Sequence, residues 1–180
     1  ASVSSGHGHI AIMQIRDDGT HTSPTPIIEK PYHLSYPFVF EWKNQTYLVP
    51  ESAESRSIEL YRCPEFPDKW ELLHNLMDDL SAFDTTVVEH NGYWWLFTNR
   101  QQHQGASSWD ELYLYYSDSP ISTHWKPHPM NPIFSDVRRA RPAGQLFTKN
   151  GNLYRPSQDS SHWYGYGLNI NRIVEMTKTT

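Results

Sequence analysis

Three stretches of this sequence can be written under one another, and that repeat restricts the fold more than any other feature. Tyr36-Pro37-Phe38-Val39-Phe40-Glu41 leads through Trp42-Lys43-Asn44-Gln45 into Thr46-Tyr47-Leu48-Val49. Asp84-Thr85-Thr86-Val87-Val88-Glu89 leads through His90-Asn91-Gly92-Tyr93 into Trp94-Trp95-Leu96-Phe97. Ala143-Gly144-Gln145-Leu146-Phe147-Thr148 leads through Lys149-Asn150-Gly151-Asn152 into Leu153-Tyr154-Arg155. Each is a strand, a polar turn and a second strand. Asn91-Gly92 and Asn150-Gly151 are the strongest hairpin dipeptides, because a type I′ turn needs positive φ at both central residues.

The second half of the unit recurs as well. Ile58-Glu59-Leu60-Tyr61 matches Leu112-Tyr113-Leu114-Tyr115, and a tryptophan strand follows each, at Trp70-Glu71-Leu72-Leu73 and Trp125-Lys126-Pro127-His128. Four strands in about 50 residues is the size of a propeller blade. Thirteen prolines are spread through the chain and no apolar stretch sustains a helical period; the one helical turn expected lies around Leu72 to Leu80. The predicted fold is all-β, about three and a half four-stranded antiparallel blades of a five-bladed β-propeller. Residues 1–8 read as a mobile terminus and 9–176 as the propeller fragment, with a part blade at 9–28 and blades at 33–76, 80–128 and 139–176. The outer strands of the last blade are placed at Tyr164 to Asn169 and Ile173 to Met176. An open ring leaves apolar blade faces bare, so self-association through the first or last blade is expected.

Composition narrows the partners. Aromatic residues make up 14% of the chain, with seven Trp, eleven Tyr and seven Phe. Such side chains fill sheets, and they also stack on flat apolar faces such as sugar rings. A net charge of −5 argues against nucleic acid, and no apolar run is long enough to span a membrane. Cys63 is the single cysteine, so no internal disulfide forms. No signal peptide stands at Ala1, Asn44-Gln45-Thr46 matches a glycosylation sequon, and the compartment stays open. His7, His9, His124 and His128 show no metal-ligand spacing, and no phosphate-binding loop or nucleophile elbow occurs, so neither metal nor cofactor is expected.

Several segments together carry a family resemblance: His33-Leu34-Ser35-Tyr36-Pro37-Phe38, Leu60-Tyr61-Arg62-Cys63, Phe66-Pro67-Asp68-Lys69-Trp70, Tyr116-Ser117-Asp118-Ser119-Pro120, Arg141-Pro142-Ala143-Gly144, Tyr154-Arg155-Pro156-Ser157-Gln158-Asp159 and Tyr164-Gly165. They resemble the propeller domain at the front of plant glucosamine inositolphosphorylceramide transferases, a domain also found in bacterial proteins. That domain is similar to the five-bladed propellers of family 43 glycoside hydrolases. The resemblance implies a site at the axis, where inner strands begin, and hence at Tyr36, Asp84 and Ala143. It also implies three acids there, a base, a proton donor and an Asp that tunes the donor. Asp84 matches the tuning Asp. The donor is missing, because Arg141-Pro142-Ala143-Gly144 stands where it belongs, and the base falls outside the chain.

Asp84 is therefore the candidate catalytic residue, with a structural role in a turn as the alternative. Arg141 reads either as a binder of carboxylate or phosphate or as a salt-bridge partner of Asp84 or Asp159. Tyr36 opens an inner strand as Asp84 does; Glu51 and Gln158-Asp159 close second strands, and their equivalent placement suggests one rim, with a turn role as the alternative for each. Arg155 stands where a Leu is found in the preceding unit, which predicts a pairing partner. Asp84 and Arg141 are expected to converge at one end of the axis, and Asp84→Asn or Arg141→Ala to weaken ligand binding while leaving the fold intact. The reading is a carbohydrate-recognising, non-hydrolytic accessory domain of a larger glycan-modifying protein, its ligand a carbohydrate or anionic glycoconjugate. The alternatives are a family 43-like hydrolase with acids outside this stretch or using Glu51, and a protein-interaction scaffold.

Overall fold

The computed structural model describes residues 6–103 and 105–180, and among them the only helical element is a single 3-10 turn at Ala53–Ser55. The rest is strand and loop. β1 (Ile10–Ile12) and β2 (Thr25–Ile28) form a two-stranded sheet. β3 (Ser35–Trp42), β4 (Gln45–Glu51), β5 (Ser57–Glu65) and β6 (Lys69–Asp78) form a second sheet in sequence order. β7 (Ser81–His90), β8 (Tyr93–Gln101), β9 (Glu111–Ser117) and β10 (Lys126–Pro127) repeat that order, with β11 (Phe134–Ser135) also on β9. β12 (Phe147–Lys149), β13 (Asn152–Asp159) and β14 (Gly167–Ile173) form the last sheet. All pairings are antiparallel.

The repeat is visible down to single dihedral angles. The inner hairpins turn at Lys43-Asn44 (φ 49 and 59), Asn91-Gly92 (52 and 78) and Asn150-Gly151 (51 and 74), so both central residues are left-handed in each. The first two inner strands carry the same extra residue. Register runs from Ser35↔Glu51 to Phe38↔Val49, and from Phe83↔Asn99 to Thr86↔Phe97. The bulged residues Tyr36 (φ 44) and Asp84 (φ 51) occupy the equivalent left-handed position. A bulge re-aims a side chain, so both are turned out of the ordinary pleat at the start of their strands.

The sheets stack through apolar faces, and the two-residue period of a strand sends alternate side chains to different layers. On β8, Leu96 joins the layer shared with β3–β6, where Val49 and Leu60 lie, while Trp95 and Phe97 join the layer towards β12–β14. On β9, Tyr113 and Tyr115 face the first layer, and Leu112 and Leu114 face the second. A third cluster, Ile10, Ile28, Leu34, Leu48 and Tyr61, seals the two-stranded sheet onto the second. Glu59 is buried with it, accepting hydrogen bonds from the hydroxyls of Tyr32 and Tyr61.

Three local expectations are corrected. Leu72 to Leu80 is not helical, because Lys69–Asp78 is strand β6. Register shifts against β5 break its alternation, so Leu73, Leu76 and Met77 all reach the core and the apolar spacing imitates a helix. Beyond β13 the last sheet has one outer strand, Gly167–Ile173, where two were expected, since Tyr164-Gly165-Tyr166 closes a turn with Tyr166 N donating to Trp163 O. The Trp125 strand shrinks to Lys126–Pro127, in a segment where Pro127 and Pro129 supply no ladder donor. Residues 1–5 of the expected mobile terminus lie outside the described residues. Gly8 is tied to the sheet by bonds with the His33 ring and the Leu34 amide. Among the described residues, no helix is long and apolar enough to cross a membrane.

Candidate functional site

Four side chains from four separate segments meet where the inner strands begin. Glu51 ends β4, Asp84 sits on the β7 bulge, Arg141 lies in the loop before β12, and Gln158 is near the end of β13. Arg141 Nε donates to Asp84 Oδ2 at 2.6 Å and Nη2 donates to Glu51 Oε2 at 3.3 Å. Gln158 Nε2 donates to the same Asp84 Oδ2 at 2.7 Å and to Pro142 O at 3.0 Å. The backbone secures the register, with Gln158 N donating to Arg141 O and Pro142 bridged to Ser157. The side chains of Arg141, Asp84 and Glu51 are only 7%, 4% and 11% exposed.

Aromatic rings enclose the cation. The guanidinium of Arg141 lies 5.6 Å from the Phe83 ring centre and 5.3 Å from that of Tyr164, and Trp109 packs 6.1 Å from Tyr164. Beside the cluster opens a cleft of about 430 Å³, lined by Glu51, Phe83, Gln101 and Gln102 with Glu54 and Arg56 further out. It is a polar cavity of the size that holds one or two small rings.

Charge is divided unequally. Burial alone would lower the Arg141 pKa, but the bond and charge of Asp84, with Glu51 behind them, hold it above its ordinary value. Glu51 is pushed up to about 8, first by burial, then by the hydrogen bond and negative charge of Asp84, against the pull of Arg141. The 2.6 Å contact to Asp84 and the 3.3 Å contact to Glu51 agree with this: Asp84 is the closer partner of Arg141, and Glu51 is the carboxyl pushed towards its protonated form.

The rim expected from the repeat divides in the structure. Glu51, Asp84, Arg141 and Gln158 come together. Of the two salt-bridge partners expected for Arg141, Asp84 is the one it meets. Tyr36 stands beside them, its hydroxyl bonded to Thr86 Oγ1 at 2.9 Å and pushed up to about 12 by burial. Arg155 sits behind the site. Its guanidinium donates to the carbonyls of Ala140 and Arg139, bracing the loop that carries Arg141, and burial draws it down to about 10. Asp159 accepts from Ser161 N and Asn169 Nδ2 and shapes a turn. The expectation that Arg141→Ala would leave the fold intact needs revision, because removing one partner of a buried ion pair strands the other. The sequence singles out neither Phe83 nor Trp109. Tyr164-Gly165 is among the segments that carry the family resemblance, but nothing in its spacing shows that it faces Arg141.

The fold is all-β and propeller-like, and it resembles that of family 43 glycoside hydrolases. A thermostable family-43 glycoside hydrolase superposes with a TM-score of 0.59 at 12% identity, covering 93% of this chain and 68% of that one. An exo-β-1,3-galactanase from Phanerochaete chrysosporium with β-1,3-galactotriose superposes at 0.57 with 9% identity, covering 91% and 38%. The family described as glucosamine inositolphosphorylceramide transferase 1, N-terminal, matches residues 2–180, and the chain belongs to it. Glucosamine inositolphosphorylceramide transferase 1 of Oryza sativa subsp. japonica is 36% identical over 180 residues, 98% of this chain. The chain spans 24% of the length of that relative.

Proposed function

We propose that this domain recognises carbohydrate without hydrolysing it, as an accessory part of a larger glycan-modifying protein, and that its sheets are about three and a half blades of a five-bladed ring. One observation carries the first reading: both carboxylates of the site contact the same guanidinium. A glycosidase sets two carboxyl groups on either side of a bond, roughly 5 to 9.5 Å apart, with room between them for the substrate. Here Asp84 is committed to Arg141 and Gln158. The cluster fixes Glu51 at the wall of the adjoining cleft, where Gln101 and Gln102 add donors and acceptors for sugar hydroxyls. The carbohydrate-binding neighbours in fold and the name of the matched family, a transferase of glucosamine, support the glycan context. A second reading, hydrolysis with Glu51 as proton donor, is favoured by its pKa of about 8.

Gln158→Ala is the sharper test, since it leaves the ion pair in place. It should weaken saccharide binding about tenfold, followed by chemical-shift titration, with no turnover of aryl glycosides. Turnover that disappears in Glu51→Gln would instead establish the second reading. The outer face of the last sheet exposes Phe147, Leu168 and Ile170, and this supports the expected self-association through that face. Sedimentation should show a concentration-dependent dimer, and Ile170→Lys should dissolve it; a clean monomer at high concentration removes the idea.

A further inference from the structure

The turn between β13 and β14 carries two groups of aromatic side chains. Tyr164, itself 60% exposed, packs against Arg141 and Trp109. Its neighbours Trp163 and Tyr166 pack edge to face at 4.9 Å, with His162 4.4 Å from Tyr166. Trp163 remains 62% exposed and Tyr166 46%. Large aromatic surface left in water is unfavourable, yet the turn is built to hold it there. Ser160 N donates to Val137 O, Ser161 N to Asp159 Oδ1 and Tyr166 N to Trp163 O, and Gly165 supplies the positive φ of 75° that closes the turn.

We propose that Trp163 and Tyr166 form a stacking platform for a second sugar unit, extending the Arg141 site outward so that it reads an oligosaccharide rather than a single sugar. The inference rests on the carbohydrate-binding reading of that site. Aromatic rings held by their own turn give rigid, amphipathic contact area at little entropic cost. Their apolar faces suit the C–H face of a pyranose, while the polar groups of Ser161, Asp159 and Asn169 border the same turn. Tyr164 joins the two parts, in contact with Arg141 and next in sequence to Trp163. An anionic membrane surface is the less fitting occupant for a chain of net charge −5.

The test uses xylotriose and β-1,3-galactotriose against xylose and galactose, followed by tryptophan fluorescence and amide chemical shifts. The trisaccharides should bind about tenfold more tightly than the monosaccharides. Trp163→Ala should erase that advantage while monosaccharide binding and melting temperature stay put, because the side chain is largely in solvent. Trp163→Phe should restore the affinity but not the fluorescence change. If the advantage survives Trp163→Ala while Gln158→Ala weakens every sugar, the platform is wrong and the site reading stands. If none of the sugars perturbs the wild-type protein, both fall. Loss of dimerisation in Trp163→Ala, with sugar binding unchanged, makes the patch a protein contact and overturns the proposal.

Discussion

Arg141→Ala should cost the fold about 3–5 kcal/mol, the usual penalty for leaving a buried charge without its partner. The side chain is 7% exposed and joins two carboxyl groups from two different sheets, so its loss leaves Asp84 buried without a cation, held only by the neutral donors Gln158 and Glu51. For a domain of this size the melting temperature should fall by roughly 10 °C. Adding Asp84→Asn to that background should return part of the loss, since the stranded charge is then gone. Urea unfolding of the two single variants and the double variant measures the coupling directly. A loss below about 1 kcal/mol for Arg141→Ala, the range of solvated surface pairs, would mean that water reaches the cluster freely.

Stability should also fall as pH rises through neutrality, and Glu51 should be the cause. Its pKa is raised from 4.5 to about 8 in the folded protein. Between those values the native state holds a proton that the unfolded chain has released, so this contribution is complete below about pH 4.5 and is lost as pH climbs through about 8. The expected loss is roughly a few kcal/mol, and Glu51→Gln, which cannot ionise, should flatten the profile. Thermal melts from pH 5 to pH 9 on both proteins decide it. Parallel curves would place the titration elsewhere. The same window bears on ligand binding: above about pH 8 a charged Glu51 competes with Asp84 for Arg141, so saccharide affinity should change there in the wild type and not in Glu51→Gln.

Alternation, turn dipeptides and the internal repeat were enough to read the all-β class, the inner hairpins and the equivalence of Tyr36 with Asp84 from the amino acids alone. These are local properties: a type I′ turn needs residues that tolerate positive φ, and a two-faced strand needs side chains that alternate. The same local logic failed at β6, where register shifts gave a strand the apolar spacing of a helix turn, and at the edges of the third and fourth sheets, where strand length depends on what a partner strand supplies. The convergence of Asp84 with Arg141 was also legible, because repeat position says which residues open the inner strands. That Arg155 would turn back onto the carbonyls of Arg139 and Ala140, that Glu51 would be buried deeply enough to keep its proton, and that Tyr164 would cover the guanidinium depended on the packing of sheets distant in sequence. Burial and the approach of a charge across 57 or 90 residues are properties of the assembled sheets, and they set the electrostatics of the site, which no pattern within one strand encodes.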